Sequence, residues 1–147
     1  MKIIIETPKE GEEETITIRS KIITENIHRA IDILKTPDDI TVFDEDKALL
    51  LPLDHIFYVE SVDLKTFVCC ENKIYRSKLK LYEVEKLLQN GDFLRISKQT
   101  LISVKKIKSI SPLSSGKFLA LLSNEEKVVI TRKYVPNLKA RFGLWSY

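Results

Sequence analysis

The sequence predicts a mainly β fold of the α+β class, and two features of its pattern lead to that expectation. From residue 40 onward, turn residues divide the chain into many short segments that are rich in β-branched and aromatic residues, as strands are. One helical stretch lies between two groups of these segments, and a second short helix is expected near the C-terminus. A chain of 147 residues with 44% hydrophobic residues can bury the core of one domain.

Residues 1–39 are expected to form a small β-β-α extension. β-branched residues over 2–7 and period-two alternation over 15–19 each predict a strand, with a charged connection between them. Thr24 is suited to cap a helix that continues to about Lys35. Because so short a unit cannot bury a substantial core alone, we expect it to pack on the second domain, residues 40–147, and to mediate dimerisation or regulation.

Strands of the second domain are predicted on both sides of its central helix. That helix presents Leu81, Val84 and Leu88 on one apolar stripe. A short helix is expected over residues 132–142, with Gly143 ending it. The predicted strands cover residues 40–43, 48–51, 56–61, 66–70, 74–76, 93–96, 100–111, 117–123 and 127–130.

The sequence does not indicate catalytic or metal-binding chemistry. His28 and His55 have no metal-ligand spacing, and the four glycines form no phosphate-binding loop. Cys69 and Cys70 alternate faces of a predicted strand, and no partner base is suggested for either thiol. We therefore expect no enzyme, no cofactor and no metal site. Short apolar runs and few cysteines favour a cytoplasmic protein without membrane insertion.

The net charge of +3 is the sum of two unlike parts. Residues 1–45 hold 6 basic and 11 acidic residues, whereas residues 93–147 hold 11 basic and 2 acidic residues. An asymmetry of this kind favours an anionic partner for the basic part, such as nucleic acid. The basic and hydroxyl side chains also cluster between predicted elements, where a rigid sheet usually carries its binding residues.

Three ordered blocks of the sequence resemble the LytTR DNA-binding domain family. The blocks are residues 53–61, residues 93–102 followed by Ile107 and Ile110, and residues 130–134 followed by Leu138 and Lys139. The resemblance covers about residues 40–144. It implies an antiparallel β fold with an intervening helix, as in bacterial transcription regulators, and loops that enter the major groove of double-stranded DNA. Residues 1–39 are too short for a receiver domain, so the resemblance is to stand-alone members. It also implies a homodimer, at least on DNA.

Carried over residue by residue, the resemblance assigns DNA contacts to three short segments. Arg132 and Lys98, with Thr66 or Lys65 beside them, are expected to contact bases. The residues expected mainly to hold phosphates are Arg95, Ser97, Gln99 and Lys133. Further candidates for phosphate contact, from their basic character, are Arg76, Lys78, Lys105 and Lys106.

Two other functions remain open on the residues alone. A protein-interaction module would use the acidic N-terminal unit and the sheet edges, while its basic half is only solvated. An RNA-binding protein would stack bases on sheet aromatics, but the aromatic residues form no recognisable stacking pair. The salt dependence of binding separates the first alternative from DNA binding.

Overall fold

The computed structural model describes residues 1–35, 37–89 and 91–143, so the last four residues of the predicted second domain lie outside it. The helices are α1 (Glu25–Lys35), α2 (Leu81–Leu87) and α3 (Val135–Phe142). The strands are β1 (Asp39–Asp44), β2 (Lys47–Pro52), β3 (Ile56–Val62), β4 (Lys65–Cys70), β5 (Ile74–Ser77), β6 (Phe93–Arg95), β7 (Thr100–Ser103), β8 (Ile107–Pro112), β9 (Phe118–Leu122) and β10 (Lys127–Ile130). None of the helices in these ranges is both long and apolar enough to cross a membrane.

The strands form two antiparallel sheets. Seven of them are ordered β2-β1-β5-β4-β3-β7-β6, and the other three are ordered β10-β9-β8. α2 connects β5 to β6 within the larger sheet, and α3 follows the last strand of the smaller one. The predicted class, a mainly antiparallel β fold with a few short helices, is confirmed.

Two hydrophobic cores hold this arrangement together, and β7 contributes to both. Its neighbouring residues Leu101 and Ile102 point to opposite faces, as successive strand residues do. Leu101 enters the core that is covered by Val84 of α2 and by Leu88 directly after that helix. Ile102 enters the second core, which the smaller sheet and α3 complete. The second core therefore fixes α3 and the junction before it against both sheets.

The single strand predicted over residues 100–111 is wrong in one respect. The segment forms two strands, β7 and β8, which belong to different sheets and are separated by a 3₁₀ turn at Val104–Lys106. The turn is held where the Val104 amide donates to the Asp92 carbonyl oxygen at 2.7 Å. Apolar residues recur on both sides of the turn, and no glycine or proline lies within residues 100–111, which is why the sequence pattern does not reveal the break.

The two N-terminal strands predicted over residues 2–7 and 15–19 are also wrong, because neither segment forms a strand in the structure. A strand is stable only beside a partner and over a buried face. Here Ile3 and Ile5 are 80% and 93% exposed, so burial of their side chains does not stabilise a strand. The helix of the extension is present as α1, and the Thr24 hydroxyl accepts from the Ile27 amide at 3.4 Å.

The β3–β4 hairpin turns through two residues with positive φ, Asp63 at 50° and Leu64 at 67°. A two-residue turn of this type favours glycine at its second position, and a leucine there is strained. We expect Leu64→Gly to raise the free energy of unfolding by roughly 0.5–1 kcal/mol, since the leucine side chain is fully exposed and loses no burial. Urea denaturation measures this. Leu64→Ala is the control, because it keeps the Cβ; equal midpoints for the two variants would contradict the strain.

Candidate nucleic-acid interface

One end of the seven-stranded sheet gathers two of the three segments singled out in the sequence. Ser61 of β3 pairs with Thr66 of β4, and on the other side of β3 Glu60 pairs with Thr100. The hairpin tip at residues 62–66 and the loop at residues 95–99 therefore end at the same edge. They are joined directly where the Ser61 amide donates to the Gln99 carbonyl oxygen at 2.8 Å.

The third segment reaches the same place from the smaller sheet. The Thr131 amide donates to the Ile96 carbonyl oxygen at 2.9 Å, and the Thr131 hydroxyl donates to the same oxygen at 3.3 Å. This clamp puts Arg132 and Lys133 beside the loop at residues 95–99. We call residues 62–66, 95–99 and 131–133 together the contact edge.

The Arg95 side chain turns inward and ties this loop to α2. Its Nε donates to the Ser97 carbonyl oxygen at 2.9 Å, and its Nη2 donates to the Lys98 carbonyl oxygen. Its Nη1 pairs with Glu85 Oε1 at 3.0 Å, and the side chain is only 18% exposed. The guanidinium is thus occupied within the chain, and its predicted role at phosphates stays a prediction.

Arg95→Ala is expected to lower the free energy of unfolding by about 2 kcal/mol, because it removes several charge-assisted hydrogen bonds from a half-buried site. Arg76→Ala is the matched control, since that exposed arginine only stacks on Phe67 and is expected to cost below about 1 kcal/mol. Denaturation in urea compares the two variants. Equal losses would contradict the bracing role of Arg95.

The loop directs other side chains outward. Lys98 and Gln99 are exposed, and Ser97 is half-buried with its hydroxyl accepting from the Gln99 amide at 3.3 Å. Within the described residues, Lys98 forms no ion pair with a carboxylate. Its ammonium group is therefore available to an external anion or base edge.

The structure distinguishes between Lys65 and Thr66, the two candidates for base contact that the sequence leaves open at the hairpin tip. Lys65 is exposed, whereas Thr66 is buried at 4% exposure. The tip also exposes Leu64 fully, a residue that sequence reasoning did not single out. An apolar residue in a turn between two strands is the signal that could have found it.

The junction after β10 presents two cations side by side. Arg132 and Lys133 begin a 3₁₀ turn, Arg132–Tyr134, and both are exposed. Lys133 Nζ lies 5.6 Å from the centroid of the Tyr134 ring. Because Val135 and Leu138 of α3 are buried directly after it, the turn has a rigid support.

Arg76 and Lys78 flank the contact edge through β5. Ser77 pairs with Thr66, so the end of β5 lies beside the hairpin tip. Both cations line a cleft of about 530 Å³ together with Lys65 and Thr66. Lys78 Nζ lies 4.3 Å from the Phe43 ring centroid, and such a contact keeps a cation in place while its charge stays exposed.

Lys105 and Lys106 lie at the opposite end of β7 from the contact edge, in the 3₁₀ turn that leads to β8. Lys105 Nζ is 3.1 Å from Asp92 Oδ2, and Lys106 Nζ is 5.1 Å from the Phe57 ring centroid. The structure therefore does not bring these two candidates together with the others. Their role in phosphate contact stays a prediction.

The cysteines lie away from this edge in β4. Burial is the main cause that raises the pKa of the Cys69 thiol to about 12, and burial also raises the pKa of Cys70. Both thiols are protonated at neutral pH and are poor nucleophiles. No group of His, Cys, Asp or Glu within the described ranges is arranged to hold a metal ion.

Comparison with known proteins identifies the family. The model of the LytTr DNA-binding domain matches residues 46–143. Sensory transduction protein LytT of Enterococcus faecalis is 24% identical over 105 residues, which are 71% of this chain and 43% of that protein. Transcriptional regulatory protein LytR of Staphylococcus aureus strain MW2 is 26% identical over 100 residues, 68% of this chain and 41% of that protein. The chain thus spans less than half the length of these curated relatives.

A solved structure agrees with the sequence comparisons. It is a LytTr DNA-binding domain from Bacillus cereus, with 28% identity and a TM-score of 0.68. The match covers 73% of this chain and 98% of that domain. On the match of the family model, the chain belongs to the LytTr DNA-binding domain family.

Proposed function

We propose that this chain is a transcription regulator that binds double-stranded DNA sequence-specifically, with the contact edge in the major groove. The observation that carries the proposal is the convergence of three separate segments at one sheet end, each with an exposed cation. Membership of a DNA-binding domain family supports it. The relatives named as regulators LytR and LytT support the transcriptional role.

Base recognition falls to the outward cations of the contact edge. A guanidinium presents two parallel N–H donors that match O6 and N7 of guanine, and this suits Arg132. Lys98 and Lys65 supply ammonium N–H donors to the same kind of base edge. Thr66, which is buried, would support the tip rather than touch DNA.

Phosphate contacts fall to the groups around these cations. Gln99, Lys133 and the Ser97 hydroxyl border the base-contacting side chains, and Arg76 and Lys78 extend the positive surface along β5. Such contacts fix the orientation of a protein on the duplex without selecting a sequence. Arg95 would act indirectly, by holding the loop that carries Lys98.

We further propose that two copies bind adjacent half-sites, and that the protein acts in the cytoplasm, where bacterial DNA lies. One copy offers one contact edge, so a repeated site needs a second copy. Mass photometry of the complex with a duplex of two half-sites tests the stoichiometry. A complex of one protein per duplex at saturation would contradict the dimer.

A protein-interaction module is the second candidate, because the described N-terminal segment and the edge strand β2 expose large apolar side chains. Ile5 is 93% exposed and Leu50, on the edge strand β2, is 70% exposed. Exposed apolar surface is common where another protein binds. In this reading the basic residues would only be solvated.

The salt dependence of DNA binding separates the two candidates. Four to six phosphate contacts predict that affinity falls on the order of a hundredfold to a thousandfold between about 50 and 200 mM salt. Fluorescence anisotropy with a labelled duplex measures this, and Lys133→Ala should flatten the slope by about one unit. Lys127→Ala, an exposed lysine at the far end of β10, is the control. Binding that is independent of salt would contradict DNA binding and favour the module.

A further inference from the structure

The turn between β8 and β9 lies beside the junction that carries Arg132. Phe118, the first residue of β9, pairs with Pro112 on one side and with Ile130 on the other. The turn before Phe118 therefore projects from the same end of the smaller sheet as Thr131 and Arg132. It is closed where the Leu113 amide donates to the Lys117 carbonyl oxygen at 2.8 Å.

Gly116 of this turn is in contact with the aliphatic stem of Arg132. A Cβ atom on Gly116 would lie 3.2 Å from both Cγ and Cδ of Arg132, and 3.6 Å from its Nε. Carbon atoms pack best at about 3.5–4.0 Å, so a Cβ at this position would push the arginine stem back by a few tenths of an ångström. Gly116 also has a φ of +76°, which a glycine adopts without strain.

This contact restricts an otherwise free side chain. Arginine has four rotatable bonds and loses about 2 kcal/mol of rotamer entropy when it is fully ordered. Within the described ranges, no carboxylate pairs with Arg132 to orient it. The arginine stem rests against the turn. The turn therefore limits rotation about the side-chain bonds that set the direction of the guanidinium.

We propose that Gly116 is a positioning residue for Arg132. Its bare Cα lets the arginine stem lie against the β8–β9 turn, and this prealigns the guanidinium for its base contact. The inference rests on the proposed function, because it gives Arg132 a base to contact. It adds a specificity determinant outside the contact edge, in a turn that itself need not touch DNA.

The test compares Gly116→Ala with Gly143→Ala. Gly143 has a similar φ of +69° and nothing within 4 Å of an added Cβ, so both variants carry the same backbone strain and only one displaces Arg132. We expect Gly116→Ala to lower the preference for the cognate over a scrambled duplex roughly fivefold to twentyfold, part of the about 5- to 150-fold that a good bidentate base contact provides. Gly143→Ala should leave the preference within about twofold.

A double-mutant cycle with Arg132→Ala distinguishes positioning from a general structural effect. In the Arg132→Ala background, Gly116→Ala should cause no further loss of preference. An equal loss in both backgrounds, or equal behaviour of the two glycine variants, would overturn the inference while leaving the proposed function intact. If Arg132→Ala alone retained full preference, the base-contacting role proposed for Arg132 would fail, and the inference with it, while sequence-specific binding by the protein would stand.

Asparagine variants cover the case in which the alanine variant does not fold. Asparagine accepts positive φ more readily than alanine and carries the same Cβ. Gly116→Asn and Gly143→Asn therefore repeat the comparison with less backbone strain. A loss of preference confined to Gly116→Asn supports the proposal, and equal preference for the pair overturns it.

Discussion

Replacement of Arg132 by alanine is expected to remove about 1–3 kcal/mol of discrimination between the cognate duplex and a scrambled one. The guanidinium is exposed, its junction is clamped to Ile96, and its stem rests on Gly116. A prealigned fork of two donors is what separates guanine from other bases in the major groove. Arg132→Lys should keep the charge but lose part of the discrimination, since an ammonium group on a flexible stem lacks the rigid planar fork of the guanidinium.

Mobility-shift titrations with both duplexes at one salt concentration measure this effect. Lys127→Ala is the control, because it removes an exposed cation at the opposite end of β10. A uniform loss of affinity for both duplexes would assign Arg132 to phosphates, and full preference in the alanine variant would remove it from base recognition.

Truncation of Leu138 to alanine is expected to lower the free energy of unfolding by about 2–5 kcal/mol. Leu138 is fully buried in the second core, together with Ile102 of the larger sheet and Leu122 and Ile130 of the smaller one. The cavity would lie where α3 packs against the two sheets. Because α3 follows the Arg132–Tyr134 turn directly, DNA binding should weaken as well.

Urea denaturation of Leu138→Ala and of Asn137→Ala makes the comparison on one helix. Asn137 is exposed, so its replacement should change stability by no more than about 0.5 kcal/mol. A loss below about 1 kcal/mol in Leu138→Ala would mean that α3 is not anchored as described.

The strands after residue 40 were predictable because their signals are local. Turn residues bound each segment, and the alternation within it shows one buried face. The division into two sheets was not predictable. Residues 100–111 contain no glycine or proline to mark a break, and only the pairing of β7 with β3 and of β8 with β9 separates the two strands. The prediction of N-terminal strands was wrong for a related reason. Residues 2–7 and 15–19 have strand propensity, but the structure pairs neither segment with another strand.

The candidate site shows the same limit. Sequence could indicate that Arg95, Lys98 and Arg132 belong to it, because family resemblance and loop position both mark them. It could not show that Arg95 turns inward to Glu85, since that depends on how α2 packs. The contact between Gly116 and Arg132 joins residues from different elements, and the sequence around neither residue indicates it.

Selection of bound duplexes from a random pool, followed by competition of the enriched duplex against a scrambled one, tests the central claim most directly. A sequence-specific regulator is expected to enrich one motif and to bind it on the order of a thousandfold or more tighter than the scrambled duplex at physiological salt. No enriched motif, or equal affinity for the two duplexes, would contradict sequence-specific recognition by the contact edge.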